Sequence, residues 1–154
     1  MSEVAFTSGL SGEHRDDVEQ LLFFNPNQAK VVTGIEVVMR RYGVPRLRSE
    51  GDRVSIAVGT HATQTLYAVA CDGNELRAIG LAVYLREGDT LVVLFCAVAV
   101  DYGSGGAHAG VGLLRRLMAE LQAIARRVRG VNQVAVYFGR ATPTRIPVRR
   151  PAAP

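Results

Sequence analysis

One succession of patterns constrains this chain more than any other: an apolar run, a glycine-dense turn, a long amphipathic helix and a second apolar run. Residues 91–100, LVVLFCAVAV, carry no charged side chain, which predicts a central strand covered on both faces. The turn GSGGAHAGVG follows at residues 103–112. Leu114, Leu117, Met118, Leu121, Ile124, Ala125 and Val128 then recur at helical spacing, with Arg115, Gln122, Arg126 and Arg129 on the other side and Gly130 as the stop. Residues 131–138 read as a further strand. Strand, helix and strand make a crossover unit, so the two strands are expected to lie parallel.

The chain before this unit supplies hairpins and helices. Residues 3–7 alternate weakly as a first strand. A helix follows Ser11-Gly12, with Asp16, Asp17 and Glu19 near its positive end and Val18, Leu21 and Leu22 on its apolar face. Asn25-Pro26 opens a second helix, whose apolar positions are Val31, Val32, Ile35, Val38, Met39 and Tyr42. Gly34 inside that helix costs about 1 kcal/mol relative to alanine and so marks a close packing contact. Residues 53–58, 65–71, 76–85 and 91–100 are β-rich, and the turns Asp72-Gly73-Asn74 and Glu87-Gly88-Asp89 predict an antiparallel meander.

The fold class is therefore α/β (α+β): a mixed, mostly antiparallel sheet flanked by helices. One domain over residues 1–139 is expected, followed by a tail, residues 140–154, rich in Pro and Arg and without periodic structure. With no further strand expected after it, the strand at 131–138 reads as an open edge that a second copy would cover, which suggests a homodimer. No apolar run reaches the roughly 20 residues that cross a bilayer, and the N-terminus does not read as a signal peptide, so the expected location is cytoplasmic. Cys71 and Cys96 lie in apolar runs and read as buried free thiols; no ligand-spaced cluster suggests a metal.

The glycine-rich turn carries the chemistry. A helix start presents unpaired N–H groups and a positive dipole, and Gly110 and Gly112 let backbone approach a diphosphate closely. No Gly-Lys-Ser/Thr follows, which excludes a nucleotide-hydrolysing P-loop. Hairpin pairing argues against a dinucleotide fold.

Residues 66–138 resemble the GNAT acetyltransferase superfamily. VACDGNELRAIGLAVY is similar to the hairpin before that family's central strand, LVVLFCAVAV to the strand itself, and HAGVGLLRRLM to its acetyl-CoA pyrophosphate loop and helix. The resemblance implies an acyl-CoA, by expectation acetyl-CoA, seated where the central strand splays from the strand after the helix. The pantetheine arm would bond near Val98 and Val100. Amides of His108, Ala109, Gly110, Val111, Gly112 and Leu113 would hold the pyrophosphate. The implied activity is transfer of the acyl group to an amine of a small molecule or protein. The alternative is a non-catalytic module of the same fold, for acyl-CoA sensing or protein association. It draws on Ala107 standing where the family has Gln or Arg, and on the missing strand carboxylate and final elements.

No residue is assigned as catalytic. His108 has a functional reading, contact with phosphate or proton transfer, but an exposed loop histidine is favoured. Strand capping is favoured for Asp101 and Tyr102 over a place at the active-site mouth. A solvated helix face is favoured for Glu36, and packing for Tyr137. An apolar strand would raise the Cys96 pKa and suppress its reactivity. The net charge of +4 is nearly all Arg, concentrated late. Nucleic acid is not the expected partner, since no aromatic residues interleave with the tail arginines for stacking.

Overall fold

The computed structural model describes residues 3–150. Nine strands, β1 (Val4–Thr7), β2 (Leu10–Ser11), β3 (Pro45–Glu50), β4 (Arg53–Val58), β5 (Gln64–Asp72), β6 (Glu75–Glu87), β7 (Thr90–Val98), β8 (Gln133–Val136) and β9 (Thr144–Pro147), are found among these residues. They accompany three α-helices, α1 (Arg15–Phe23), α2 (Val32–Arg41) and α3 (Leu113–Arg127). The main sheet runs β1-β5-β6-β7-β8-β9. Every pairing in it is antiparallel except β7–β8, which is parallel across the α3 crossover. This is the expected mixed sheet flanked by helices.

The core follows from the apolar pattern. Ile79, Leu81, Val83, Val93 and Leu94 of the central strands and Leu113, Leu117 and Leu121 of α3 belong to one core, all essentially without exposure. Gly80 lets α3 settle closely: a Cβ there would stand 3.3 Å from both Leu113 and Leu117.

Gly34 is a close contact, as its cost inside a helix implied. A Cβ on it would fall 1.8 Å from the Phe138 carbonyl oxygen and 3.5 Å from that of Arg140. Helix α2 therefore presses its bare backbone on the chain leaving β8.

Three expectations are corrected. First, residues 53–58 do not begin the meander. β4 joins β2 and β3 in a separate three-stranded sheet, where Val54, Ile56 and Val58 alternate inward. The hairpin partner β3, PRLRSE, has too few apolar residues to signal itself. Second, the segment expected to lack periodic structure contributes β9, which pairs antiparallel with β8 from Gln133↔Pro147 to Val136↔Thr144. Its neighbour Arg150 donates to the carbonyls of Ala125, Val128 and Val131 at the end of α3, at 3.4, 3.3 and 2.6 Å, so this arginine caps a helix end. The edge of β8 is thus covered by the chain itself, which removes the reason given for a dimer. Third, Cys71 is exposed and Cys96 half-buried, where both were expected to be buried. No helix among the described residues is long and apolar enough to cross a membrane.

Candidate functional site

The site begins with a split between two parallel strands. β7 and β8 pair from Thr90↔Gln133 to Val93↔Val136, and one further bond, Tyr137 N–H to Val93 O at 3.3 Å, closes the ladder. β7 continues to Val98 along β6, but its register shifts: Val83 faces Phe95 and Tyr84 faces Val93. Leu94 is the extra residue of a bulge, which bends a strand and increases its twist. Beyond it β7 leaves β8.

A cavity of about 660 Å³ fills that notch. Cys96, Ala97 and Val98 border it from β7, Phe138 from the chain after β8, and Leu113, Leu114, Arg115 and Met118 from α3. Asn25, Gln28 and Val31 close it from the segment before α2, and Tyr102, Gly103, Ser104, Ala109 and Gly112 from the loop. No carboxylate is among these lining residues, so nothing in the wall repels an anion.

Backbone polarity on the strand follows from the ladder. Ala99 N–H donates to Ile79 O at 2.7 Å, and hydrogen bonding alternates along a strand, so the amides and carbonyls of Cys96 and Val98 turn away from β6. The Val98 carbonyl accepts the Asn25 side-chain amide at 2.7 Å, consistent with that direction. The expectation of Val98 is thus placed on the notch. Val100 is not: it belongs to a 3-10 turn, Val100–Tyr102, and is exposed outside the cavity. Residues two apart share a strand edge, so Cys96 lies on the same edge as Val98 and also borders the cavity.

In the glycine-rich turn the amides divide into two groups. His108 N–H donates to Asp101 O, Ala109 to Gly106 O, Val111 to His108 O and Gly112 to Ala109 O, at 2.7–3.2 Å. These four are spent within the turn. Gly112 has φ +65, a left-handed conformation that suits glycine, and precedes α3. The first intrahelical bond runs from Arg116 N–H to Gly112 O, so the amides of Leu113, Leu114 and Arg115 form the unpaired helix start. All three residues border the cavity. A Cβ on Gly110 or Gly112 would meet nothing within 4 Å, and Gly112 borders the cavity beside these amides. His108 and Gly110 are exposed, Val111 is half-buried, and none of the three borders the cavity.

Two side-chain contacts hold this turn in place. Tyr102, buried, stacks on the His108 ring with centroids 4.7 Å apart. Asp101 receives both terminal nitrogens of Arg77 at 2.7 Å, and these hydrogen bonds hold its carboxyl below the usual carboxylate range. Neither arrangement puts Asp101 in the notch. The sign for stability is that of a depressed acid. The pair contributes fully above the ordinary value of 3.8 and is lost as pH falls through the lowered folded value. The two side chains are 40% and 32% exposed, so the contribution is about 1 kcal/mol or less after solvent screening. We expect wild-type and Asp101→Asn stabilities, measured by urea unfolding, to differ by this amount near neutrality and to converge as pH falls below the ordinary value of 3.8.

Cys96 borders the cavity, and desolvation pushes its thiol up to about 12. It is a neutral wall residue, as its apolar run implied. Glu36 is exposed and Tyr137 buried in the core, both in their favoured readings. Asn25, Gln28, Arg115, Met118 and Phe138 were not singled out for the site. Asn25-Pro26 reads as a helix opening, and there it begins the 3-10 helix Pro26–Val31. Leu114 and Met118 read as core positions, yet Leu114 is exposed and both border the notch.

Fold and site together define an α/β domain with a split parallel strand pair and a helix start aimed into the split. No family model matches the chain, and no curated protein matches it in sequence. Similar solved structures include an IAA acetyltransferase from Bacillus cereus, at 17% identity and TM-score 0.44, covering 87% of this chain and 65% of that one. N-acetylglutamate synthase from Neisseria gonorrhoeae, in complex with coenzyme A and N-acetyl-glutamate, is similar at 14% identity and TM-score 0.47, covering 88% of this chain and 25% of that one. A nourseothricin acetyltransferase is similar at 18% identity and TM-score 0.43, covering 86% and 72%. The chain thus spans less than two thirds of the length of the first two.

Proposed function

We propose that this protein is an acyl-CoA-dependent N-acyltransferase, with acetyl-CoA as donor and an amine as acceptor. The observation that carries the reading is the helix start of α3, with the amides of Leu113, Leu114 and Arg115 opening on a cavity that continues between the splayed β7 and β8.

The residues fit such a donor. Unpaired amides and the positive helix end suit a diphosphate, and the Arg115 side chain adds charge at the same wall. The narrow part of the notch offers apolar contact from Val98, Met118 and Phe138. The backbone groups of Cys96 and Val98 would bond with the amides of an extended arm, as one strand does with another. When bound, the thioester supplies an activated acyl carbon: the amine nitrogen forms the new C–N bond, the C–S bond breaks, and the proton lost by nitrogen balances the one gained by the thiolate. The chain's own part is binding, orientation and exclusion of water. High Cys96 pKa argues against an acyl-cysteine route.

Calorimetric titration of the full chain with acetyl-CoA tests the reading, and micromolar saturable binding at one site is expected. Absence of binding would defeat it. Release of free thiol in the presence of an amine then separates an enzyme from a module that only binds the coenzyme.

A further inference from the structure

A second cavity, of about 420 Å³, meets the first at Asn25, which borders both. Residues 98–103 divide them. Val98, Tyr102 and Gly103 face the first, and Ala99, Val100 and Asp101 face the second. Any group held in the second cavity therefore lies next to the strand end that borders the first.

The wall of this second cavity has a definite chemistry. Its charged residues are Asp17, Arg77 and Asp101. Both terminal nitrogens of Arg77 are on Asp101, so that pair is neutral and Asp17 leaves a formal charge of −1. Asp17 is fixed: its Oδ2 accepts the Ala78 N–H at 3.0 Å. That amide stands next to a register shift between β5 and β6, where Val69 pairs with Ala78 and Ala68 with Gly80. His14 Nδ1 stands 3.7 Å from the same oxygen but does not border the cavity. Phe24 and Val100, both more than half exposed, and Leu21 and Pro26 supply apolar surface.

We propose that this cavity takes the acceptor, and that the acceptor is a primary amine on an apolar body with no carboxylate of its own. The acceptor role rests on the acyl-transfer reading of the first cavity. The ammonium pairs with Asp17, and the body lies against Phe24 and Val100. An α-amino acid is disfavoured because its carboxylate finds Arg77 already committed and Asp17 repelling it.

Two small probes differing by one carboxylate, 2-phenylethylamine and L-phenylalanine, test this on the full chain. Binding is followed through the backbone NMR shifts of Ala78 and Val100, with and without coenzyme A. The amine is expected to bind about tenfold more tightly than the amino acid, the scale of one charge-assisted contact. Asp17→Asn keeps an oxygen for the Ala78 N–H, and is expected to weaken the amine about fivefold while leaving the coenzyme affinity unchanged. Equal or tighter binding of L-phenylalanine, no effect of Asp17→Asn, or no shift at these amides would overturn the inference. Coenzyme binding that fails while the amine still binds would defeat the acyl-transfer reading and the acceptor role, leaving the amine preference standing.

Discussion

Gly34→Ala is expected to destabilise the protein by about 1–2 kcal/mol, although alanine is the better helix former. The local helix term favours the variant by about 1 kcal/mol. Against it stands a methyl group placed 1.8 Å from the Phe138 carbonyl oxygen, about half an ordinary contact distance. That atom is backbone at the end of a strand pinned on both sides, by β7 and by β9, so it yields only if α2 withdraws or the sheet edge shifts. Overpacking of this kind costs about 1–3 kcal/mol and sometimes more, which outweighs the helix gain. Urea unfolding reads the result directly. Phe138 also borders the cavity, so the same variant should bind acetyl-CoA less tightly. A stability equal to or above wild type would show that α2 does not dock as described.

The second large effect concerns binding and leaves stability nearly untouched. Gly110→Glu is expected to weaken acetyl-CoA about tenfold, or roughly 1.4 kcal/mol. Its folding free energy should change by less than about 1 kcal/mol. Gly110 has no positive φ and a Cβ there meets nothing within 4 Å, so the fold has no objection to a side chain. Gly110 does not itself border the cavity, but it lies between Ala109 and Gly112, which do, and three residues before the helix start. A carboxylate there opposes a diphosphate held by that helix start through its charge. Gly110→Ala adds only a methyl group and should change neither quantity much. Calorimetry on the three proteins separates a blocked anion site from a damaged fold. If Gly110→Glu binds like wild type, the amides of Leu113, Leu114 and Arg115 are not where the phosphates go.

The contrast between these two glycines shows how differently the same residue type is constrained. Gly34 is required by a neighbour inside the molecule. Gly110 is compatible with a larger residue as far as the protein's own atoms are concerned, so its consequence is expected in binding. Asp101 illustrates a third situation. It ends the apolar run and reads as a strand terminus, and its carboxylate ties Arg77 of β6 to the turn that carries Tyr102 and His108. It positions the loop without entering the notch.

Much of the architecture was legible along the chain because its signals are periodic and local. The apolar run at 91–100, the glycine turn, the striped helix and the run at 131–138 specify a parallel pair joined by a crossover, and β7, α3 and β8 form it. The two hairpin turns specify β5, β6 and β7, and the misfit of Gly34 in its helix announces a contact. Other features were settled by pairing over long distances. β9 is four residues ending in proline, with no pattern of its own; hydrogen bonds from β8 order it. β4 alternates as well as any meander strand, but its partner β3 draws it into a second sheet. Which backbone groups face the notch depends on the bulge at Leu94, and a one-residue offset cannot be read from a run in which every residue is apolar. For the same reason Leu114 and Met118, identical in pattern to core positions, line a cavity. Hydrophobic periodicity records that a surface leaves water in part, and only the packed sheet decides whether protein or open space lies opposite it.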